Sequence, residues 1–125
     1  MTFYPSLDDV LATHARLLAL FGGAEGVRDR AALEAALARP QNGYYQDVVE
    51  QAAALLESLS QNQAFIDGNK RTAIAITAAF LRVNGYRLEF EDLEAYTFMT
   101  GLYEKGQFRF EKLEPWVRKH ARRIS

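Results

Sequence analysis

Residues 65–71 read Phe65-Ile66-Asp67-Gly68-Asn69-Lys70-Arg71, a tight polar turn between two apolar segments with helical periodicity. The turn opens the second of these helices, and the first backbone N–H groups of a helix have no partner within the helix. They point outward at the positive end of the helix dipole and therefore favour an anion. Gly68 has no Cβ, which lets a phosphate approach the backbone closely. The stretch therefore predicts a phosphate site.

Charged side chains in the turn strengthen this interpretation. Lys70 and Arg71 place two cations at the helix start, where each is unfavourable by roughly 0.3–1 kcal/mol unless an anion lies between them. Asp67 offers the oxygen ligand that a phosphate-bridging Mg²⁺ requires. The same residues also fit a plain turn followed by a helix cap, with both cations solvated. The residue pattern by itself leaves both interpretations open.

The flanking sequence predicts an all-α fold, a single compact bundle of about six helices. Apolar residues recur at helical spacing in six segments, which are separated by capping residues, prolines and glycines. The predicted helices lie between Ser6 and Gly22 and over about 29–38, 47–62, 69–84, 91–104 and 111–123. The helix over 69–84 is apolar on nearly every side, which predicts a place at the centre of the bundle. Pro115 fits only the first turn of the last helix, and residues 87–90 could be extended.

Length and composition describe an ordinary globular chain. Its 125 residues, with 49% hydrophobic and 25% charged, predict one domain over 1–125. The absence of cysteine excludes a disulfide, a thiol nucleophile and a zinc site of cysteine type. The net charge of −1 argues against nucleic-acid binding. No apolar run reaches membrane-spanning length and no signal-type start is present, so we expect a cytoplasmic protein without a membrane partner.

The polar turn resembles the signature of the Fic/Doc superfamily, His-x-Phe-x-[Asp/Glu]-[Gly/Ala]-Asn-x-Arg. The Doc (death-on-curing) branch is favoured, because Lys70 fills a position that is usually Gly in the Fic adenylyl-transferases and Ile74 replaces their second arginine. Similar segments extend along most of the chain: Leu11-x-x-His14-Ala15-Arg16-Leu17, Gly22-Gly23, Arg28-Asp29, Leu37-Ala38-Arg39-Pro40-Gln41-Asn42 and Leu81-x-x-Asn84-Gly85-Tyr86. The resemblance implies the small helical fold of that family.

One departure from the family pattern falls on the chemistry. The catalytic histidine of the family would lie two residues before Phe65, and this chain has Gln63 there, although Asn62 keeps the frame. That histidine takes the proton from a target hydroxyl, which a glutamine amide cannot do near neutral pH. Losing a general base slows a reaction by about 10²–10⁴. The resemblance therefore implies an inactive or weakened chain, either a natural variant or a deliberate replacement of histidine.

The resemblance assigns the contacts with nucleotide and metal to this one loop. Catalytic positions are Gln63, Lys70 and Arg71; nucleotide-binding positions are Phe65, Gly68, Asn69, Lys70 and Arg71; the Mg²⁺ ligand is Asp67. Phe65 would also anchor the loop in the core. The two cations would neutralise the triphosphate and the charge that develops during transfer.

The function implied by the resemblance is that of a type II toxin. In the Doc branch, a γ-phosphoryl group of a nucleoside triphosphate, here expected to be ATP, passes to a threonine of translation elongation factor Tu and stops translation. Two alternatives remain: Fic-type protein adenylyl transfer, and a non-catalytic module that binds a nucleotide or a partner. The family's inhibitory helix is not matched, because Lys105 follows Thr100-x-x-x-Glu104. The implied partner is therefore a Phd-like antitoxin.

The two histidines of the chain have simpler explanations than catalysis. His14 lies on the apolar face of the first helix, which predicts a hydrogen-bonded core residue. His120 lies among basic residues near the end of the last helix, where cations complement the helix dipole. This cluster is no evidence for direct contact with nucleic acid.

Overall fold

The computed structural model describes residues 1–124, in which it shows six α-helices and one two-stranded sheet. The helices are α1 (Leu7–Phe21), α2 (Arg30–Ala38), α3 (Val48–Gln61), α4 (Asn69–Val83), α5 (Asp92–Glu104) and α6 (Phe110–His120); the strands are β1 (Tyr86–Leu88) and β2 (Ala121–Arg123). A 3₁₀ turn, Arg39–Gln41, follows α2. The predicted helical fold is confirmed, and no helix within this range combines the length and apolar character needed to cross a membrane.

Capping side chains explain where the first three α-helices begin. The Asp9 N–H donates to Ser6 Oγ at 3.1 Å and the Ser6 N–H donates to Asp9 Oδ2 at 2.8 Å, which completes a capping box. These hydrogen bonds to Ser6 hold the pKa of Asp9 below its ordinary value. Asp29 and Asp47 cap α2 and α3 through single bonds to backbone N–H groups.

The centre of the fold is α3, and the prediction that α4 occupies it is wrong. Nine residues of α3 are buried, and the helix packs against α2, α4 and α6. In contrast, α4 packs against α1, α3 and β1 and leaves Ala79 and Val83 exposed on its outer side. Its many alanines make α4 apolar on nearly every side. Because an alanine side chain is small, it can be exposed at little cost, so the apolar pattern predicted more burial than the structure shows.

The end of the chain departs from the predicted last helix. The helix ends at His120, and residues 121–123 form β2, which pairs antiparallel with β1 so that Leu88 lies opposite Ala121. The predicted extended stretch is confirmed in part, since β1 covers Tyr86–Leu88. Pro115 lies inside α6 beyond its first turn, which corrects its predicted place. A proline there removes one backbone donor from the helix.

Candidate functional site

The loop between α3 and α4 closes on itself through one side chain. Asn69 Oδ1 accepts a hydrogen bond from the Phe65 N–H at 3.0 Å, and Asn69 Nδ2 donates to the Phe65 carbonyl at 2.9 Å. The Phe65 side chain is buried in the core, as predicted for an anchor, with an exposed fraction of 2%. The amide of Asn69 therefore shapes the loop, which is a role that its predicted contact with phosphate did not include.

A second segment, residues 22–29, holds the loop from outside; we call it the strap. The Arg28 and Asp29 N–H groups donate to the Ala64 carbonyl at 2.7 and 3.0 Å, and the Ile66 N–H donates to the Gly26 carbonyl at 3.1 Å. These bonds give the loop an antiparallel neighbour and satisfy its backbone groups. The sequence predicted a helix end at Gly22 and a family resemblance at Gly22-Gly23 and Arg28-Asp29, but not the bonds from this segment to the loop.

His14 supports the loop from α1. Its side chain is buried, its Nε2 lies 2.8 Å from the Asp67 carbonyl oxygen, and its ring stacks on that of Phe65 with centroids 3.7 Å apart. A carbonyl oxygen only accepts, so Nε2 carries the proton and donates. The prediction of a hydrogen-bonded core histidine is confirmed.

The start of α4 presents free backbone donors. Within residues 1–124 no side chain caps this start, and the first backbone bond runs from the Thr72 N–H to the Gly68 carbonyl at 3.0 Å. The N–H groups of Asn69, Lys70 and Arg71 precede that bond and so have no partner within the helix. The sequence predicted this arrangement of donors.

The backbone conformation at position 68 explains why the residue there is a glycine. Its φ of +79° is left-handed, a region that side chains with a Cβ adopt at a cost. A Cβ built there would contact His14 and Leu18 at ordinary distances of 3.6 and 3.7 Å. This Cβ would point towards α1, so the left-handed turn, more than close approach of a phosphate, explains the glycine.

Lys70 and Arg71 extend to opposite sides of the helix start. Lys70 Nζ lies 3.7 Å from the centroid of the Tyr103 ring on α5. Arg71 Cζ lies 4.4 Å from the centroid of the Phe21 ring at the end of α1. Both side chains are exposed and belong to the first turn of α4, the turn whose backbone N–H groups lack partners within the helix.

These groups open into a cleft of about 640 Å³, within the range of small-molecule sites. Six of the seven predicted site residues line it: Gln63, Asp67, Gly68, Asn69, Lys70 and Arg71. Phe65 is not among its lining residues. The rest of the cleft wall comes mainly from α5 and from aromatic side chains: Phe90, Asp92, Tyr96, Tyr103, Phe108 and Trp116. The sequence did not predict this wall. The aromatic residues after position 90 were the available signal.

Gln63 lies in the cleft with a strained backbone. Its φ of +49° is the only positive value among the non-glycine residues of the described chain. A non-glycine residue in this region costs about 1–3 kcal/mol, and such residues cluster at functional sites. The side chain is exposed and lines the cleft beside the start of α4. The structure thus places the residue at the base position within reach of solvent and of a ligand in the cleft.

Asp67 is the acidic side chain of the loop and its environment fits Mg²⁺. Its Oδ2 accepts from the Ala24 N–H at 3.1 Å and its Oδ1 accepts from the Gly68 N–H at 2.9 Å, which leaves lone pairs on both oxygens. Across residues 1–124 no group of three His, Cys, Asp or Glu side chains could hold an ion. One carboxylate is enough for Mg²⁺ when phosphates and water supply the other ligands.

The chain is similar to known proteins over most of its length. A family model described as the Fic/DOC family matches residues 4–81. The chain is 45% identical over 93 residues to "Toxin Doc" of Mycolicibacterium smegmatis, with 70% of this chain and 69% of that protein covered. It is 32% identical over 87 residues to "Protein kinase doc" of Escherichia phage P1, with 66% and 69% covered. Because the family model matches more than half of its length, this chain belongs to the Fic/DOC family.

Proposed function

We propose that this chain is a Doc-type toxin and a protein phosphotransferase that uses ATP or a similar nucleoside triphosphate. The observation that carries the proposal is the uncapped start of α4, which opens into the cleft between Lys70 and Arg71. The relatives named "Toxin Doc" and "Protein kinase doc" support the two parts of it. We further propose a cytoplasmic site of action, with a threonine of translation elongation factor Tu as the acceptor and translation as the inhibited process.

The reaction would form a bond between the acceptor oxygen and the γ-phosphorus and break the bond to the β,γ-bridging oxygen, releasing ADP. The free N–H groups at the start of α4 would bind phosphate oxygens. Lys70 and Arg71 would stabilise the charge on the transferred group and on the leaving group, which is the main contribution of a protein to phosphoryl transfer. Asp67 would hold Mg²⁺, which neutralises phosphate charge when bound.

Gln63 limits this chemistry, because the residue at the base position cannot accept the hydroxyl proton of the acceptor. The amide of Gln63 can still hydrogen-bond the hydroxyl and orient it. We therefore expect the chain to bind nucleotide normally and to transfer phosphate about 10²–10⁴ times more slowly than a form with histidine there. In that form, an imidazole nitrogen would take the proton as the oxygen–phosphorus bond forms.

The deciding experiment restores the base. Three proteins are expressed in separate bacterial cultures: the Gln63→His variant, the parent chain, and Gln63→Asn as a control whose amide cannot take a proton. We expect growth arrest with Gln63→His alone, and transfer of label from γ-labelled ATP to elongation factor Tu in a lysate. Label from α-labelled ATP would instead show adenylyl transfer. A harmless Gln63→His protein that transfers no label would refute the toxin proposal.

Gln63 itself favours a second candidate function, a non-catalytic module that binds a nucleotide or a partner. Such a module would keep the phosphate loop and the cleft without needing a base. It predicts that Gln63→His binds nucleotide as tightly as the parent chain and still causes no arrest. The same induction experiment therefore separates the two candidates.

The proposed partner of the toxin is a Phd-like antitoxin. A disordered antitoxin tail that folds into a helix must bury apolar surface to offset its loss of conformational entropy. We expect a cognate antitoxin peptide to gain helicity on binding, with a negative heat-capacity change in calorimetry. Co-expression of the antitoxin should restore growth of cells that carry Gln63→His. A peptide that binds without gaining helicity would contradict this mode of neutralisation.

A further inference from the structure

We call residues 65–71 the proposed phosphate loop. Its two cations, Lys70 and Arg71, each contact an aromatic ring from another part of the chain. The Lys70 ammonium lies over Tyr103 of α5, and the Arg71 guanidinium lies over Phe21 of α1. Tyr103 and Phe21 are 82 residues apart in sequence (103 minus 21), yet each is placed beside one of two adjacent loop residues. Neither ring was part of the predicted site.

The Tyr103 ring is held in place by two contacts of its own. Its hydroxyl donates to the Ser60 carbonyl at 3.2 Å, and its centroid lies 4.5 Å from that of Phe108. Burial raises the pKa of the Tyr103 phenol, so the ring remains neutral at physiological pH. An uncharged, fixed aromatic face attracts an ammonium group through its quadrupole. Lys70 therefore bridges the two walls of the cleft.

Phe21 also makes a cation–π contact, with Arg71, although its ring is exposed. It is the last residue of α1 and 62% exposed, although a large apolar side chain gains nothing from exposure to water. Its face carries the Arg71 guanidinium, a group that stacks well on aromatic rings. The neighbouring Leu20 is 67% exposed and has no part in this contact, so it offers a matched control.

We propose that Tyr103 and Phe21 are positioning residues for the phosphate donor, each holding one cation at the side of the α4 N-terminus where the triphosphate binds. Lysine and arginine side chains lose much rotamer freedom when a ligand orders them. Rings that already restrict the two cations reduce this loss and so strengthen binding. The inference rests on the proposed function, because it takes the anion at this site to be the triphosphate.

The first test measures magnesium-ATP binding by calorimetry with the chain as it stands. Tyr103→Leu and Phe21→Leu remove the aromatic face, and we expect each to weaken binding about two- to tenfold, the effect of ordering one further rotamer-rich side chain on binding. Tyr103→Phe and Phe21→Tyr keep the face and should each bind more tightly than the leucine variant at the same position, although Tyr103→Phe loses the hydrogen bond to Ser60. Leu20→Ala is the control for loss of an exposed apolar side chain from α1 and should leave binding unchanged.

A second measurement separates the ring face from general packing. Phenylalanine analogues with increasing fluorination at position 103 weaken the ring quadrupole at nearly constant shape, so affinity should fall stepwise along the series. Unchanged affinity along the series, or tighter binding in the two leucine variants, would overturn the positioning role.

The ring contact can also be tested without nucleotide. In the parent, the ring current of Tyr103 should shift the Lys70 side-chain protons upfield; Tyr103→Leu should lose the shift and Tyr103→Phe should keep it. Absence of the shift in the parent overturns the inference alone. A parent that shows the shift but binds no magnesium-ATP overturns the proposed function, and with it the role assigned to the rings.

Discussion

Replacing His14 with alanine removes a buried imidazole from the back of the phosphate loop. The ring is 5% exposed, donates to the Asp67 carbonyl at 2.8 Å and stacks on Phe65 at 3.7 Å. The hydrogen bond contributes about 0.5–1.5 kcal/mol, and an aromatic stack adds a similar amount of roughly 0.5–1.5 kcal/mol beyond burial. With the packing lost around the cavity, we expect the free energy of unfolding to fall by about 2–4 kcal/mol.

Urea denaturation followed by circular dichroism measures this loss, and two variants divide it. His14→Phe keeps a ring against Phe65 and loses the hydrogen bond, so it should cost about 1 kcal/mol. His120→Ala is the matched control, because His120 Nδ1 also lies 2.8 Å from a main-chain carbonyl, that of Trp116, and its ring packs on Trp116 at 4.4 Å. The control should lose stability without any effect on the phosphate loop.

Amide hydrogen exchange shows whether the loop itself responds. The Ile66 N–H is bonded to the Gly26 carbonyl across the strap, so its exchange reports the order of the loop. We expect faster exchange at Ile66 in both His14 variants and parental exchange in His120→Ala. A loss of less than about 1 kcal/mol in His14→Ala, or parental exchange at Ile66, would refute the argument that His14 supports the loop.

Three further perturbations test other contacts of the site and of the fold. Asn69→Ala leaves two main-chain groups of Phe65 without partners and should lower the free energy of unfolding by about 2–3 kcal/mol in urea; a loss below about 1 kcal/mol would contradict the view that Asn69 shapes the loop. Gly23→Ala would place a Cβ 2.8 Å from Asp67 Oδ2 and 2.9 Å from Leu18 Cδ2 at a φ of +126°, so the strap must shift beside Asp67; calorimetry should show weaker magnesium-ATP binding, and parental affinity would contradict the view that the strap positions Asp67 for binding. Ser6→Ala removes the capping box and should cost about 1 kcal/mol near neutral pH. The fold lowers the pKa of Asp9 from its ordinary value of 3.8, so the stabilisation by the capping box is complete above pH 3.8 and is lost as the pH falls through the lowered pKa. Urea denaturation near neutral pH and in acid should therefore show that Ser6→Ala costs less stability in acid.

Local chemistry explains what the sequence predicted well. Capping at Ser6, Asp29 and Asp47 depends on residues within one helical turn, so these helix starts could be identified from the chain alone. The family is likewise recognised from consecutive residues, and the family model that matches residues 4–81 includes the polar turn over 65–71. Both kinds of feature are short-range in sequence, and a linear pattern records them directly.

Features that depend on distant partners were missed or predicted wrongly. Residues 121–123 read as the continuation of a basic helix, and their extended conformation depends on β1, whose partner residues lie more than thirty positions away. The central place of α3 depends on which helices surround it, which periodicity does not record. The contacts of Lys70 and Arg71 with aromatic rings have the same origin. The sequence predicted Lys70 and Arg71 as site residues, but the rings beside them, Tyr103 and Phe21, are brought there by the fold.

The way the strap and α1 hold the loop has a consequence for the order of folding. The helices α3 and α4 are joined by a short connection, so they can pair while the rest of the chain is unfolded. The loop between them is shaped by His14, 53 positions from its partner Asp67, and by Ala24, 43 positions away from the same residue. Such distant contacts form only after a larger entropic barrier has been crossed. The loop should therefore become ordered after the α3–α4 hairpin has formed, so that a chain opened at its first helix retains the hairpin but has no ordered loop.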